Sequence, residues 1–173
     1  MGTQDVIFQA KDSAQDFNQF EILEDGIINT GVGTAAPAHI GTFSPAFVST
    51  ANVFNSATAS GRFFRLGKAV WIQLNITQGA GGTNNTGGNA VTITGLPFTS
   101  ANVTGLKQAL TISGLQQFNQ SAAGVYPHAY IAPNTTVITL AEAADDGAEV
   151  PTDMDNCDKS GLEMSIAGVY FTD

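Results

Sequence analysis

The run Lys68 to Thr77 repeats with a period of two: Val70, Ile72, Leu74 and Ile76 fall on one side, and Trp71, Gln73, Asn75 and Thr77 on the other. A pleated strand sends successive side chains to opposite faces, so this alternation specifies a strand with one face buried. A helix of period 3.6 would scatter the same residues around its axis. The pattern recurs along the chain. Val91 and Ile93 alternate with Thr92 and Thr94, Leu110 and Ile112 with Thr111 and Ser113, and Ile138 and Leu140 flank Thr139. Leu162, Met164 and Ile166 oppose Glu163, Ser165 and Ala167. Between these runs lie turn signals at Ser60-Gly61, Gly79 to Gly88, Gly95, Gly105, Gly114, Ala132-Pro133-Asn134 and Ser160-Gly161. About six to nine strands joined by glycine-rich turns, with no long helical pattern, predict an all-β fold. The expected architecture is an antiparallel, jelly-roll-like β-sandwich. A chain of 173 residues suits one such domain with an extended arm.

Charge divides the chain into zones. There is no Asp or Glu from Gly26 to Ala141; all fifteen acids lie in the first 25 residues or from Glu142 onward. The middle holds only Arg62, Arg65, Lys68 and Lys107 in a Thr/Asn/Gly-rich setting. Uncharged hydroxyl and amide surfaces suit packing against neighbouring chains, where charge is costly to desolvate. The formal net charge of −9 excludes a basic nucleic-acid-binding face. No apolar run reaches the roughly 18 residues of a membrane helix. The N-terminus has neither the charged nor the apolar region of a signal peptide, so synthesis in the cytoplasm is expected.

The first 42 residues read as an arm, with the sandwich running from 43 to 173. Val6, Ile7 and Phe8 predict a short strand. The spacing of Phe17, Phe20 and Leu23 predicts a helical turn, and Gly26 to Thr42 an extended connector. Ile7, Phe8, Phe17 and Phe20 have little core of their own, so the arm is expected either to fold back on its sandwich or to contact a neighbour.

Residues capable of catalysis are few and scattered. His39 and His128 have no motif around them, although His128 shares a strand face with Tyr126 and Tyr130. Cys157 lies among acids, which raise a thiol pKa, and as the single cysteine it builds neither an intrachain disulfide nor a cysteine zinc cluster. The glycine-rich tract 79–88 lacks the lysine of a phosphate-binding loop. No enzyme activity and no cofactor are expected. Seven carboxylates crowd Glu142 to Asp158, and 142–160 is read as a solvated acidic loop. The alternative is a calcium site formed by Asp153, Asp155 and Asp158, at close spacing but outside the EF-hand pattern.

Three segments carry a resemblance. Gly61-Arg62-Phe63-Phe64-Arg65-Leu66-Gly67-Lys68-Ala69-Val70-Trp71-Ile72-Gln73, Gly95-Leu96-Pro97-Phe98-Thr99-Ser100-Ala101-Asn102 and Tyr130-Ile131-Ala132-Pro133-Asn134-Thr135-Thr136 together resemble a β-sandwich module of tailed-bacteriophage virion proteins. The resemblance spans about residues 43 to 173. Such modules recur at the C-termini of tail fibres, where they trimerise and present a host-facing tip; related jelly rolls serve as capsid decoration, or cement, proteins. Within these segments, Gly61 and Gly67 are expected to bound a strand, Leu96-Pro97-Phe98 to supply a buried corner, and Pro133-Asn134 a turn.

A fibre carries a long shaft before this module, whereas about 42 residues precede it here, without heptads or collagen-like repeats. The resemblance therefore implies first a homotrimeric decoration protein that binds the phage major capsid protein. Ile7, Phe8, Phe17 and Phe20 would then contact the shell or neighbours. The alternative is a tail-fibre or baseplate module that recognises host surface polysaccharide through Trp71, Tyr126, His128 and Tyr130. Either places the protein on the virion surface, with no nucleic-acid partner and no membrane insertion.

Overall fold

The computed structural model describes residues 6–11, 18–23, 28–29, 39–49, 57–79, 90–118, 126–143, 149–152, 157 and 161–173, the first three stretches as backbone. Three short strands come first: β1 (Val6–Lys11), β2 (Asn18–Leu23) and β3 (Ile28–Asn29). They form a three-stranded antiparallel sheet of their own. The remaining strands are β4 (His39–Phe43), β5 (Ala46–Ser49), β6 (Ala57–Leu66), β7 (Ala69–Gln78), β8 (Val91–Thr94), β9 (Gln108–Gln116), β10 (Tyr126–Ile131), β11 (Ile138–Ala143), β12 (Val150–Pro151) and β13 (Glu163–Phe171). These ten make one sheet in the order β4-β6-β7-β13-β9-β10-β11-β8-β5, with β12 on β11. Every pairing is antiparallel. The all-β, sandwich-like architecture expected from the alternation is the one observed.

Two features curl this sheet onto itself. β9 changes partner part-way: Gln108 to Leu110 pair with β10, and Thr111 onward with β13. A strand shared in this way turns a corner between two layers. At the other end, β4 and β5 are the two edges of the sheet, yet only Ser44 and Pro45 separate them in the chain. Two residues span at most roughly 10 Å when extended, so the edges are held together. β5 accordingly lies against β6. The result is a half-barrel whose inner face is the core.

The inner face is the one the alternation marks. Val70, Ile72, Leu74 and Ile76 of β7 are buried with Val91 and Ile93, Leu110, Ile138 and Leu140, and Leu162, Met164 and Ile166. Full burial of each such side chain is worth about 1.5–3 kcal/mol. The segments carrying the resemblance are physically joined. The Leu96 N–H donates to the Thr136 carbonyl at 3.1 Å and the Ser100 N–H to that of Thr135 at 2.9 Å. Ser100 Oγ donates to the Ala132 carbonyl at 2.7 Å and accepts from the Thr135 N–H at 3.0 Å. Leu96 enters the core as expected, whereas Pro97 and Phe98 of this corner are only half-buried, the Phe98 ring packing edge-on against Phe63 at 5.3 Å.

Several local expectations need correction. The helical turn through Phe17, Phe20 and Leu23 is not formed, because Asn18–Leu23 is strand β2. Phe20 and Ile22 also alternate with Glu21, and pairing with β1 decides for the shorter period. Phe17 lies outside the described residues. The connector from 26 to 42 contributes two strands, β3 and β4. Ser60-Gly61 is not a turn but the middle of β6. Gly61 lies there because a Cβ would overlap the Phe43 ring, which crosses over it from β4. Gly114 likewise is not a turn. It sits within β9 at φ +59°, where Gly114 and Leu115 stand opposite Met164 of β13, a bulge whose left-handed residue favours glycine. In the acidic segment, Glu142 is buried on β11, and β12 brings the chain back to the sheet, so these parts are not a solvated loop. The Thr152 N–H donates to the Leu140 carbonyl at 3.0 Å, and Cys157 is in the core.

Candidate interaction surface

The outer face of β4, β6, β7 and β13 is built of cross-strand rows, and the register sorts them by chemistry. One row runs Ile40–Phe64–Trp71–Val169, and the next Leu66–Ala69–Phe171. Then come Thr42–Arg62–Gln73–Ala167–Thr111, Ser60–Asn75–Ser165–Ser113 and Thr58–Thr77–Glu163–Gln116. Two apolar rows thus adjoin three rows of hydroxyls and amides, and no carboxylate appears until Glu163. The apolar end is open to solvent: Ile40 is 72% exposed, Phe171 54% and Trp71 41%. Trp71 also packs against Phe64 at a ring separation of 5.3 Å. In the polar rows, Thr42, Ser44, Ser60, Arg62, Gln73 and Asn75 line a cleft of about 550 Å³. Ser165 Oγ donates to Asn75 Oδ1 at 2.7 Å, which holds the Asn75 side chain in place at the cleft.

A second cluster lies on β10. His128 and Tyr130, two apart on one strand, stack with centroids 6.1 Å apart, and Tyr126 on the same strand is 66% exposed. Lys107 sits 4.1 Å over the Tyr130 ring and donates to Glu149 at 2.6 Å; His128 Nε2 lies 3.3 Å from the other Glu149 oxygen. Hydrogen bonding to Glu149 raises the Lys107 pKa, and the same bond holds the Glu149 carboxyl below the usual carboxylate range. The pair is solvent-exposed, so it tethers the chain before β12 to β9 and β10 with little energy of its own.

The expected contact residues therefore separate. Tyr126, His128 and Tyr130 come together on β10, while Trp71 stands on β7 with β13 and β9 between. Ile7 and Phe8 lie in β1 and Phe20 in β2. Asp153, Asp155 and Asp158 fall outside the described residues. Lys107, Glu149, the Arg62 cleft and the two apolar rows, one through Phe64 and one through Phe171, were not singled out from the sequence; alternation placed Trp71 outward, but only strand register shows which residues stand beside it.

No known family profile matches the chain, and no curated protein matches it. Among solved structures, the fold is similar to that of the Dettilon tailspike protein (gp208), with a TM-score of 0.64 and 18% identity. The match covers 78% of this chain and 24% of the tailspike chain, so this chain corresponds to about a quarter of that protein. At this identity the likeness is one of fold.

Proposed function

We propose that the chain is a non-enzymatic, homotrimeric module of a tailed-phage virion, working at the tail as a receptor-binding part. The observation that carries this reading is the sandwich shared with a portion of a tailspike chain, which complements the three-segment resemblance to virion modules. The outer surface has the chemistry for glycan binding. Exposed Trp71 and Tyr126, the stacked His128–Tyr130 pair and the hydroxyl- and amide-lined cleft are groups that pack on sugar faces and exchange hydrogen bonds with sugar hydroxyls. The decoration reading draws on the acid-free rows of the outer face, which suit tight packing on a capsid and its neighbours.

Gold labelling on intact particles, with copy number by quantitative mass spectrometry, separates the two. A few copies at the tail tip, with purified protein blocking adsorption to host cells, are the expected result. Hundreds of copies across the head would replace this reading with the decoration one.

A further inference from the structure

The polar cleft on β4, β6 and β7 carries one charge. Arg62, exposed on β6, stands between Thr42 of β4 and Gln73 of β7, with Ser60 and Asn75 in the next row. Among the described residues no carboxylate lines the cleft. Register puts Glu163 in the row of Thr58, four residues from Arg62 along β6, and two strands across. That separation is about 16 Å by strand geometry, twice the screening length of about 8 Å at physiological salt. Glu163 also accepts from Gln116 Nε2 at 3.3 Å. Other bases work within the fold. Arg65 Nε donates to the Gly67 carbonyl at 2.8 Å, and its guanidinium lies 4.5 Å over the Phe98 ring; Lys107 is paired with Glu149. Arg62 has no ion-pair partner among the described residues.

The charge zoning of the sequence bears on the same place. β4, β6 and β7 all come from the stretch Gly26 to Ala141, which contains no Asp or Glu. A neutral sugar does not require this, because carboxylate oxygens accept readily from sugar hydroxyls. A negative ligand does. A chain of net charge −9 repels an anionic polymer as a whole, and an acid-free zone carrying an arginine is where such a polymer can approach.

We propose that this cleft binds a carboxylate-bearing sugar unit of a polysaccharide, with Arg62 paired to the carboxylate. The planar guanidinium fork matches a carboxylate through two parallel hydrogen bonds. Thr42, Ser60, Gln73 and Asn75 supply hydroxyls and amides for the hydroxyls of the same sugar. Register sets Trp71 diagonal to Arg62, about 7–8 Å away on the same face, so its ring borders the cleft where the next sugar would pack. The cleft volume of about 550 Å³ falls within the range of about 300–1,000 Å³ usual for small-ligand sites. This names the ligand class within the receptor-binding reading and rests on that reading.

Oligosaccharides containing glucuronate, galacturonate or sialate are immobilised, each beside its carboxyl-reduced counterpart and beside sugar phosphates, and retention of the full-length protein is measured. Retention on carboxylate-bearing members is expected, weakened about tenfold or more by carboxyl reduction and equally by Arg62→Gln, as for the loss of one charge-assisted pair. Arg62→Lys keeps the charge without the fork and should recover part of the binding. Lys68→Gln removes the same charge outside the cleft and should bind as the wild type does. Far-UV circular dichroism melts establish that each variant is folded. Equal retention on acidic and carboxyl-reduced members overturns the proposal and leaves glycan binding standing. Acidic retention undiminished in Arg62→Gln, or weakened as much by Lys68→Gln, overturns it too, since the attraction is then elsewhere or diffuse. A preference for sugar phosphates overturns the carboxylate assignment. No retention, by a protein that still blocks adsorption to host cells, overturns this proposal alone; if adsorption is also unaffected, the receptor-binding reading falls with it.

Discussion

The side chain of Gln108 holds both backbone groups of Phe171: its Oε1 accepts the Phe171 N–H at 2.5 Å, and its Nε2 donates to the Phe171 carbonyl at 3.3 Å. This occurs where the two strands part, since β9 pairs with β10 as far as Leu110 and with β13 only from Thr111 onward. A primary amide presents the same donor and acceptor as a peptide group, so a buried glutamine continues the ladder that the backbone has abandoned.

Replacing this amide tests the corner. Gln108→Met keeps volume and burial but strands the Phe171 N–H; the carbonyl still accepts from Ala101 N–H at 2.7 Å. A part-buried donor that loses its partner costs about 0.5–1.5 kcal/mol. Urea unfolding of the variant is expected to show a midpoint lowered accordingly with an unchanged slope. A midpoint equal to wild type would mean that the Gln108 contacts contribute nothing to the corner.

Gly61 offers a second test. The ideal Cβ position overlaps the Phe43 ring, so Gly61→Ala forces that ring aside and is expected to destabilise by about 1–3 kcal/mol. Phe43→Leu in the same chain relieves the clash, and a double-mutant cycle should return a favourable coupling. Additive effects would show that the ring is free to move.

These two positions also show where the sequence was legible. In β7 the two faces differ sharply, apolar against amide and hydroxyl, and the alternation is readable from the residues alone. At Ser60-Gly61 the local chemistry speaks for a turn, and only Phe43, eighteen residues away, explains why a strand needs glycine there. β4 reads His-Ile-Gly-Thr-Phe, without clean alternation, and owes its state to pairing with β6. The surface was less legible still. Tyr126, His128 and Tyr130 share a strand and were found together, but Lys107 and Glu149 are 42 residues apart and no local signal links them. The apolar rows exist only once register sets Ile40 beside Phe64, and Trp71 beside Val169.

Calcium provides a test of the acidic segment. Carboxylates that face water are screened over about 8 Å at physiological salt and need no ion. The melting temperature is expected to be the same in EDTA and in millimolar calcium. A rise of many degrees with calcium, lost in Asp155→Asn, would make Asp153, Asp155 and Asp158 ligands.

Alkaline pH tests the corner at Tyr170. Its hydroxyl donates to the Phe98 carbonyl at 3.0 Å and accepts the Phe98 N–H at 3.3 Å, with the ring wholly in the core. Burial pushes the phenol up to about 12 from 10, partly offset by the Phe98 bond and by Arg65 nearby. The folded form therefore keeps its proton where the unfolded chain has begun to lose it. Stability from this group is fully present below about pH 10 and falls as pH rises toward 12, because only the unfolded state gains by ionising. Tyr170→Phe should be less stable than wild type at neutral pH, having lost both contacts to Phe98. Between about pH 10 and 12 its melting temperature should fall less steeply than that of wild type, by the share of one proton. If the Tyr170→Phe and wild-type curves run parallel across that interval, the hydroxyl ionises without regard to folding and the corner does not depend on its proton.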